Sequence, residues 1–222
     1  MSAAYLSLLL ADGRLPTGAH TQSAGLEPAL AHGLRLDQVP DYLLARLTTV
    51  TEVEAAAAVV ARRCWLADPS VSPMTEVDRA WRVRTASAAL RDASDLLGRS
   101  YLRLSATVWP RLAQLARDRT TTWCRAVVIG ATAAEAGLDG EQTARLIGFE
   151  EVQTVIAAAV KLQPFDPAVA VGWAVAAGHQ VEAMVSRVGP LTDIDQIPAY
   201  AAPQIEHWAE LHTRTERRLF RA

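Results

Sequence analysis

The sequence has few aromatic residues, few cysteines and no excess of basic charge. Aromatic side chains make up 6% of its 222 residues, and the formal net charge is −2. Nucleic-acid-binding proteins carry a strong basic excess, so this balance argues against a nucleic-acid partner. The two cysteines, Cys64 and Cys124, lie far apart in apolar helical patterns. We therefore predict buried free thiols rather than a disulfide or a metal-binding pair.

Signals for export and for membrane insertion are also missing. Residues 1–11 are apolar, but the segment is short and lacks the charged start of a secretory leader. No uninterrupted apolar stretch reaches about 18 residues, the length needed to span a bilayer. The sequence thus predicts a cytoplasmic protein with no membrane partner.

Alanine supplies much of the apolar content. Hydrophobic residues make up 50% of the chain, and alanine runs occur at residues 55–58 and 157–159. Alanine is the best helix former and a poor strand residue, and no segment alternates with the period of two that strands require. The fold class predicted is all-α. We expect one domain over residues 1–222, built as an array of about eight to ten helices.

Turn and capping residues divide the chain into helical segments. Hydroxyl or acidic caps, proline in first turns and glycine after last turns set the boundaries. Asp139 with Gln142 has the pattern of a capping box. Gly98 interrupts a long helical pattern, where it indicates a kink or a close approach between helices. The predicted helices cover residues 3–10, 22–31, 37–67, 72–97, 101–109, 122–136, 139–163, 166–189 and 203 onward.

The sequence contains none of the usual catalytic patterns. There is no HExxH motif, no GxSxG elbow, no phosphate-binding glycine loop and no CxxC pair. His207 and His212 are five residues apart and so face different sides of a helix. Glu150 and Glu151 are adjacent and diverge, which favours a solvated face over paired acid–base work. The chain is therefore not expected to be an enzyme.

Three segments remain as functional candidates, each with a simpler interpretation. Residues 12–27 crowd glycine, proline, histidine and hydroxyl side chains together, although an ordinary loop and helix cap would explain them. Residues 98–100 either mark a kink or line an internal polar path. The basic C-terminus suits a solvated helix end. The apolar pair Leu219-Phe220, however, suggests docking on the same chain, a second copy or another protein.

These segments resemble those of a known family. Leu15-Pro16-Thr17-Gly18 followed by Ser23-Ala24-Gly25-Leu26-Glu27 is similar to the LPxGxxxxSxGLE signature of the UreF-type urease accessory proteins. Gly98-Arg99-Ser100 resembles the family's central helix. Ala202-Pro203, His212 and Arg218-Leu219-Phe220-Arg221-Ala222 resemble its C-terminal ending. The matches fall in order along nearly the whole chain.

The resemblance implies an all-α homodimer that is not itself an enzyme. Members of this family join a UreG-type GTPase and a UreD/UreH-type accessory protein on apo-urease, where nickel is inserted in a GTP-dependent step. The family member recruits the GTPase, modulates its nucleotide cycle and provides a passage for the metal. No intrinsic cofactor is expected, and nickel is handled by the complex. The alternative is an all-α small-molecule-binding protein or metal-dependent enzyme unrelated to urease.

The resemblance and the polar crowding together single out a set of partner-binding or passage-lining residues. His20 is also a weak candidate nickel ligand, because two copies across a dimer axis could share one ion, although a structural histidine is the simpler interpretation. The candidate site residues are Pro16, Gly18, His20, Ser23, Gly25, Glu27, Arg99, Ser100, Leu219, Phe220 and Arg221.

Overall fold

The computed structural model describes residues 1–117, 121–215 and 219–220, and its regular structure is helical, with no β-strand in these ranges. The all-α prediction is confirmed. Apart from the five-residue α7, ten helices are present in the described chain, within the expected range. The helices are α1 (Ala3–Leu10), α2 (Leu26–Ala31), α3 (Val39–Leu47), α4 (Val50–Ala67), α5 (Val71–Arg84), α6 (Ala88–Val108), α7 (Ala113–Arg117), α8 (Arg125–Glu135), α9 (Gly140–Leu162), α10 (Pro167–Val188) and α11 (Pro203–Thr213).

Helix α4 lies at the centre of the molecule. It packs against α5, α8 and α9, and its alanine run at residues 55–58 is completely buried. Small side chains let neighbouring helices come close: a Cβ at Gly130 of α8 would overlap the carbonyl oxygen of Ala58. The alanine content of the sequence therefore supports close helix packing as well as helix formation.

The long helix predicted for residues 37–67 is in fact two helices. Chain direction changes at Thr48 and Thr49, where Thr49 has ψ −98°. The Thr48 hydroxyl donates to the carbonyl of Leu44, and the Thr49 hydroxyl donates to that of Ala45. Hydroxyl side chains that bond back to the preceding turn compete with the helical backbone pattern, and here two of them mark the break.

The predicted helix over residues 22–31 begins later, at Leu26. Ala24 and Gly25 have φ values of +50° and +75°, which a right-handed helix does not allow. Only the short 3₁₀ turn Ala19–Thr21 precedes them. The predicted start of α2 at residue 22 is therefore wrong, and residues 22–25 belong to an irregular loop.

The break between α5 and α6 lies earlier than predicted. Helix α5 ends at Arg84, and α6 then continues without interruption through Gly98. A Cβ at Gly98 would overlap the carbonyl oxygen of Trp123. The close approach considered for Gly98 is therefore correct, and the helix is not interrupted there.

The boundaries set by strong caps agree with the structure. Asp139 and Gln142 form the reciprocal capping box at the start of α9, and the Asp166 side chain caps α10 ahead of Pro167. Both cysteines are free, with Cys124 buried and Cys64 partly buried.

Helix α10 is the most apolar long helix of the described chain on its surface side, and the expectation that no segment spans a membrane stays a prediction. By length and composition its residues Pro167–Val188 could cross a membrane, since an 18-residue stretch within them has a mean hydropathy of 1.2, although charged and polar residues interrupt the run. Only 22% of this 18-residue apolar stretch is buried. Val169, Val171 and Val175 are exposed along it. Length and composition alone do not place the helix in a bilayer. The exposed valines give α10 an apolar face on the surface of this chain.

Candidate functional site

Residues 15–27, called the signature loop from here on, change direction at positive-φ positions. Gly18 has φ +83° and precedes the 3₁₀ turn, whose Thr21 hydroxyl donates to the Gly18 carbonyl at 2.8 Å. Gly25 has φ +75°. The buried Ser23 hydroxyl accepts from the backbone N–H of Glu27 at 3.3 Å. Glycine is needed at these bends because it adopts positive φ without steric cost.

The first bend of the signature loop packs on helix α6. A Cβ at Gly18 would lie 3.6 Å from the Ser100 hydroxyl and 3.8 Å from the Leu97 side chain. The Ser100 hydroxyl itself donates to the carbonyl of Leu96. The structure thus brings together Gly18 and Ser100, two candidates that the sequence places 82 positions apart. Arg99 is exposed and is not among the residues that line the cavity described below.

The second bend packs on helix α3. The Tyr42 hydroxyl donates to the carbonyl of Ala24 at 2.6 Å. A Cβ at Gly25 would lie 2.8 Å from the Tyr42 hydroxyl oxygen and 3.7 Å from Arg46 Nη1. Position 25 therefore requires glycine for two reasons, its backbone conformation and the space that α3 leaves.

The last residue of the signature loop holds the C-terminal segment. The Glu27 carboxylate accepts from the backbone N–H of Leu219 at 2.6 Å and of Phe220 at 2.9 Å. Phe220 is buried in the core, under the Lys161 ammonium, whereas Leu219 is 65% exposed. The pair Leu219-Phe220 was expected to dock on the same chain, a second copy or another protein, and Phe220 docks on its own chain. Arg221 lies outside the described residues.

His212 of α11 completes this contact. Its Nε2 lies 3.2 Å from the carbonyl oxygen of Phe220 and 3.6 Å from the Glu27 carboxylate. The side chain is 2% exposed. The C-terminal histidine and the glutamate of the signature loop therefore meet in space, although neither sequence pattern indicates that they do.

Beneath the loop lies a buried charged cluster that the sequence pattern does not predict. Arg46 of α3 pairs with Glu151 of α9. Arg125 of α8 donates to both carboxylate oxygens of Glu54 on α4, at 2.8 and 2.9 Å, and lies 3.5 Å from Glu150. The available signal was weak: Arg46 interrupts an apolar face three residues after Leu43, where a core side chain is expected.

The solvated face predicted for Glu150 and Glu151 is wrong. Their side chains are 13% and 5% exposed, because each turns toward an arginine on a different helix. Burial raises the pKa of the Glu150 carboxyl to about 7: desolvation outweighs the attraction of Arg125, and the Glu54 carboxylate opposes a second nearby charge. Adjacent residues on a helix do diverge, but both directions lead into the protein.

A cavity of about 110 Å³ lies between the signature loop, α4, α6, α9 and α11. Gly25 and Ala24 border it on the loop side, and His212 borders it on α11. Its polar lining includes Arg46, Glu54, Arg125 and Glu151, and its walls are mainly apolar. The loop, the central helix and the C-terminal region therefore surround one interior space.

The described residues contain no group of three or more histidine, cysteine or carboxylate side chains that could hold a metal ion. His20 is exposed on the 3₁₀ turn, as is Pro16 on the loop before it. The cavity carboxylates of Glu54 and Glu151 are each paired with an arginine. Sharing of an ion by two copies of His20 stays a prediction.

Fold and site together define an all-helical protein in which an irregular N-terminal loop, a central helix and a C-terminal segment meet. A family model described as UreF matches residues 36–179. Urease accessory proteins UreF from Mycobacterium sp. strain JLS and from Mycolicibacterium vanbaalenii are 32% and 31% identical, over 96% and 99% of both chains. The one from Mycobacterium marinum is 34% identical over 75% of this chain and 76% of its own. The chain belongs to the UreF family of urease accessory proteins.

Proposed function

We propose that this chain is a non-catalytic scaffold in the GTP-dependent insertion of nickel into apo-urease. It binds a UreG-type GTPase and a UreD/UreH-type accessory protein in the cytoplasm, holds them against apo-urease and adjusts the nucleotide cycle of the GTPase. Nickel is the cargo of this assembly and not a resident cofactor of the chain. Membership of the UreF family is the observation that carries the proposal.

The distribution of polar groups supports a binding role. The buried carboxylates of Glu54 and Glu151 are engaged by arginines, so they are poorly placed to act as a general base or as metal ligands. Exposed groups on and near the signature loop, such as His20, Pro16 and Arg99, are accessible to another protein. Leu219 is exposed beside the anchored Phe220 and offers an apolar contact at the same end of the chain.

The exposed face of α10 supports homodimer formation as part of this role. Val169, Val171 and Val175 lie on a helix that carries little charge. Apolar patches of this kind on a soluble protein commonly mark an interface. Two copies of the scaffold would present two sets of partner surfaces, one for each accessory partner bound.

Urease activation in a co-expression system tests the proposal. Urease subunits, GTPase and accessory partner are produced with and without this chain, and urease activity and its nickel content are measured. We expect both to fall strongly without the chain, and we expect the GTPase and apo-urease to co-purify with it. Full urease maturation in its absence would contradict the proposal.

The surface of the signature loop is tested with His20→Ala in the same system. We expect weaker capture of partners and less active urease because an exposed contact residue is lost. His207→Ala removes an exposed histidine from α11 and is the matched control. Equal urease activity for the two variants would remove His20 from the binding surface. Substrate turnover by the pure chain would instead favour an enzyme unrelated to urease.

A further inference from the structure

The outer face of α6 carries two arginines that lie one helical turn apart. Arg99 and Arg103 are both exposed. Neither guanidinium forms an ion pair or a hydrogen bond with a carboxylate of residues 1–117, 121–215 or 219–220. Like charges four positions apart repel each other and destabilise a helix. A local rule that is broken without an evident compensation commonly marks a functional surface, so we looked for the group that would compensate this pair.

The helical neighbours of the two arginines do not neutralise them. Asp95 lies one turn before Arg99, but its carboxylate binds Arg82, with a contact of 2.7 Å. Thr107 lies one turn after Arg103, and its hydroxyl donates to the Arg103 carbonyl oxygen at 3.0 Å. Both guanidinium groups are therefore open to carboxylates supplied from outside the chain.

Two leucines lie beside the arginines on the same face of α6. Leu96 and Leu104 are partly exposed, and neither belongs to the hydrophobic core or to the partly buried side chains packed against it. Ser100 lies between them, and a Cβ at Gly18 of the signature loop would be 3.6 Å from its hydroxyl. The surface therefore borders the signature loop. We call it the basic stripe, and its residues are Leu96, Arg99, Arg103 and Leu104.

Helix geometry makes the basic stripe one continuous surface. With about 3.6 residues per turn, its four positions lie within about 140° of the helix circumference. The two guanidinium groups and the two leucines can therefore contact the same partner element.

The composition of the basic stripe fits an acidic protein surface. Arginine binds carboxylates through paired N–H groups, and it is enriched at protein interfaces. The leucines favour a partner that also presents an apolar side chain. A nucleic acid would supply phosphates but would leave the leucines unused, and the net charge of −2 opposes its binding.

We propose that the basic stripe docks an acidic, partly apolar surface of one partner protein. Carboxylates of that partner accept from Arg99 and Arg103, and an apolar side chain packs against Leu96 and Leu104. The proposal rests on the scaffold role proposed above and assigns a surface to it.

Binding measurements with the purified GTPase and, separately, the purified UreD/UreH-type accessory protein test the proposal. Arg99→Glu combined with Arg103→Glu reverses both charges, and we expect the affinity for one of the two proteins to fall about tenfold or more. Added salt should weaken binding of that protein by the wild type more steeply than by the variant. Equal affinities of variant and wild type would overturn the proposal and leave the scaffold role intact. Failure of the wild type to bind either protein would overturn both.

Melting temperatures distinguish docking from a structural role. Arg99→Glu alone places a carboxylate one turn before Arg103, an order that favours a helical ion pair. We therefore expect the melting temperature to stay the same or rise while partner affinity falls. A fall in both would give Arg99 a structural role and overturn the proposal. Arg99→Gln combined with Arg103→Gln removes the charges without reversing them, and it tests the surface if the double reversal does not fold.

Two controls establish that the effect belongs to this surface and to a protein partner. Arg63→Glu reverses an exposed charge on α4 that has no ion pair in the part of the chain that the structure describes, and it should bind like the wild type. An equal loss of affinity in Arg63→Glu would overturn the proposal. A labelled DNA duplex is titrated in parallel, and we expect no binding. Duplex binding that is lost when Arg99 and Arg103 are reversed would assign the stripe to nucleic acid instead.

Discussion

Gly25 combines two requirements at a single residue. Its φ of +75° favours glycine, and a Cβ would press on the Tyr42 hydroxyl at 2.8 Å. Gly25→Ala is expected to lower the free energy of unfolding by about 2 kcal/mol or more, from left-handed strain plus overpacking. Gly33→Ala is the control, since Gly33 has φ +101° and nothing within 4 Å. Urea denaturation of both variants measures the difference, and equal losses would contradict the steric part.

Glu27 connects the signature loop to the C-terminal segment through charge-assisted hydrogen bonds. Glu27→Gln replaces a carboxylate that receives two backbone N–H groups, and we expect a loss of about 1.5–3 kcal/mol in the stability of that contact. The measurement is amide hydrogen exchange at Leu219 and Phe220, which should become faster. Glu141→Gln changes a 65% exposed carboxylate on α9 and should leave their exchange unchanged. Unaltered exchange in Glu27→Gln would show that Phe220 burial alone holds the segment.

Glu150 makes stability depend on pH in a direction that follows from its raised pKa. The folded-state pKa of about 7 lies above the ordinary value of 4.5, so the native state holds the proton more tightly than the unfolded state does. The protonated Glu150 carboxyl therefore adds to the free energy of unfolding. This stabilisation is fully present below about pH 4.5 and is lost as pH rises through 7. We expect the stability of the wild type to fall between pH 5 and 8 relative to Glu150→Gln. Denaturation curves across that range check it, and parallel pH profiles would contradict it.

At the scale of elements, α6 contacts the residues just before α8 closely because Gly98 of α6 has no side chain. A Cβ at Gly98 would overlap the Trp123 carbonyl, so Gly98→Ala should destabilise by about 1–3 kcal/mol although alanine is the better helix former. Gly178→Ala on α10 meets nothing within 4 Å and should stabilise by up to about 1 kcal/mol. Thermal unfolding of both variants measures the effects. Stabilisation by Gly98→Ala would show that the two segments can move apart.

The helix breaks at Thr48–Thr49 and at residues 85–87 belong to the same scale. The sequence pattern continues across the first break, because apolar spacing is preserved from Leu47 to Val50. Propensity and periodicity describe one helix at a time, whereas the direction of α4 is set by its packing between α5, α8 and α9. Capping boxes are predictable because their bonds join residues three positions apart.

At the scale of the whole molecule, the apolar face of α10 predicts self-association. Val175→Glu places a charge on that face and is expected to convert a dimer into a monomer, because burying an unpaired carboxylate at an interface is costly. Val83→Glu is the matched control, since Val83 on α5 is 73% exposed and Val175 is 71% exposed. Sedimentation of both variants, with circular dichroism to check helix content, gives the result. A monomeric wild type, or a dimeric Val175→Glu, would contradict this assignment.

The sequence by itself determined three features: the helical class, the majority of the helix ends that have strong caps, and the residues of the signature loop. These features depend on interactions within about one turn of the chain. Family resemblance singled out Gly18, Gly25 and Glu27, and the tertiary structure shows the structural role of each in contacts with Ser100, Tyr42 and Phe220. Only the tertiary structure decided which charges meet. Arg46 and Glu151 are 105 positions apart, and Glu27 and Leu219 are 192 apart, so no local pattern encodes either contact. Packing of the helices brings these groups together, and burial then changes their chemistry, as the raised pKa of Glu150 shows.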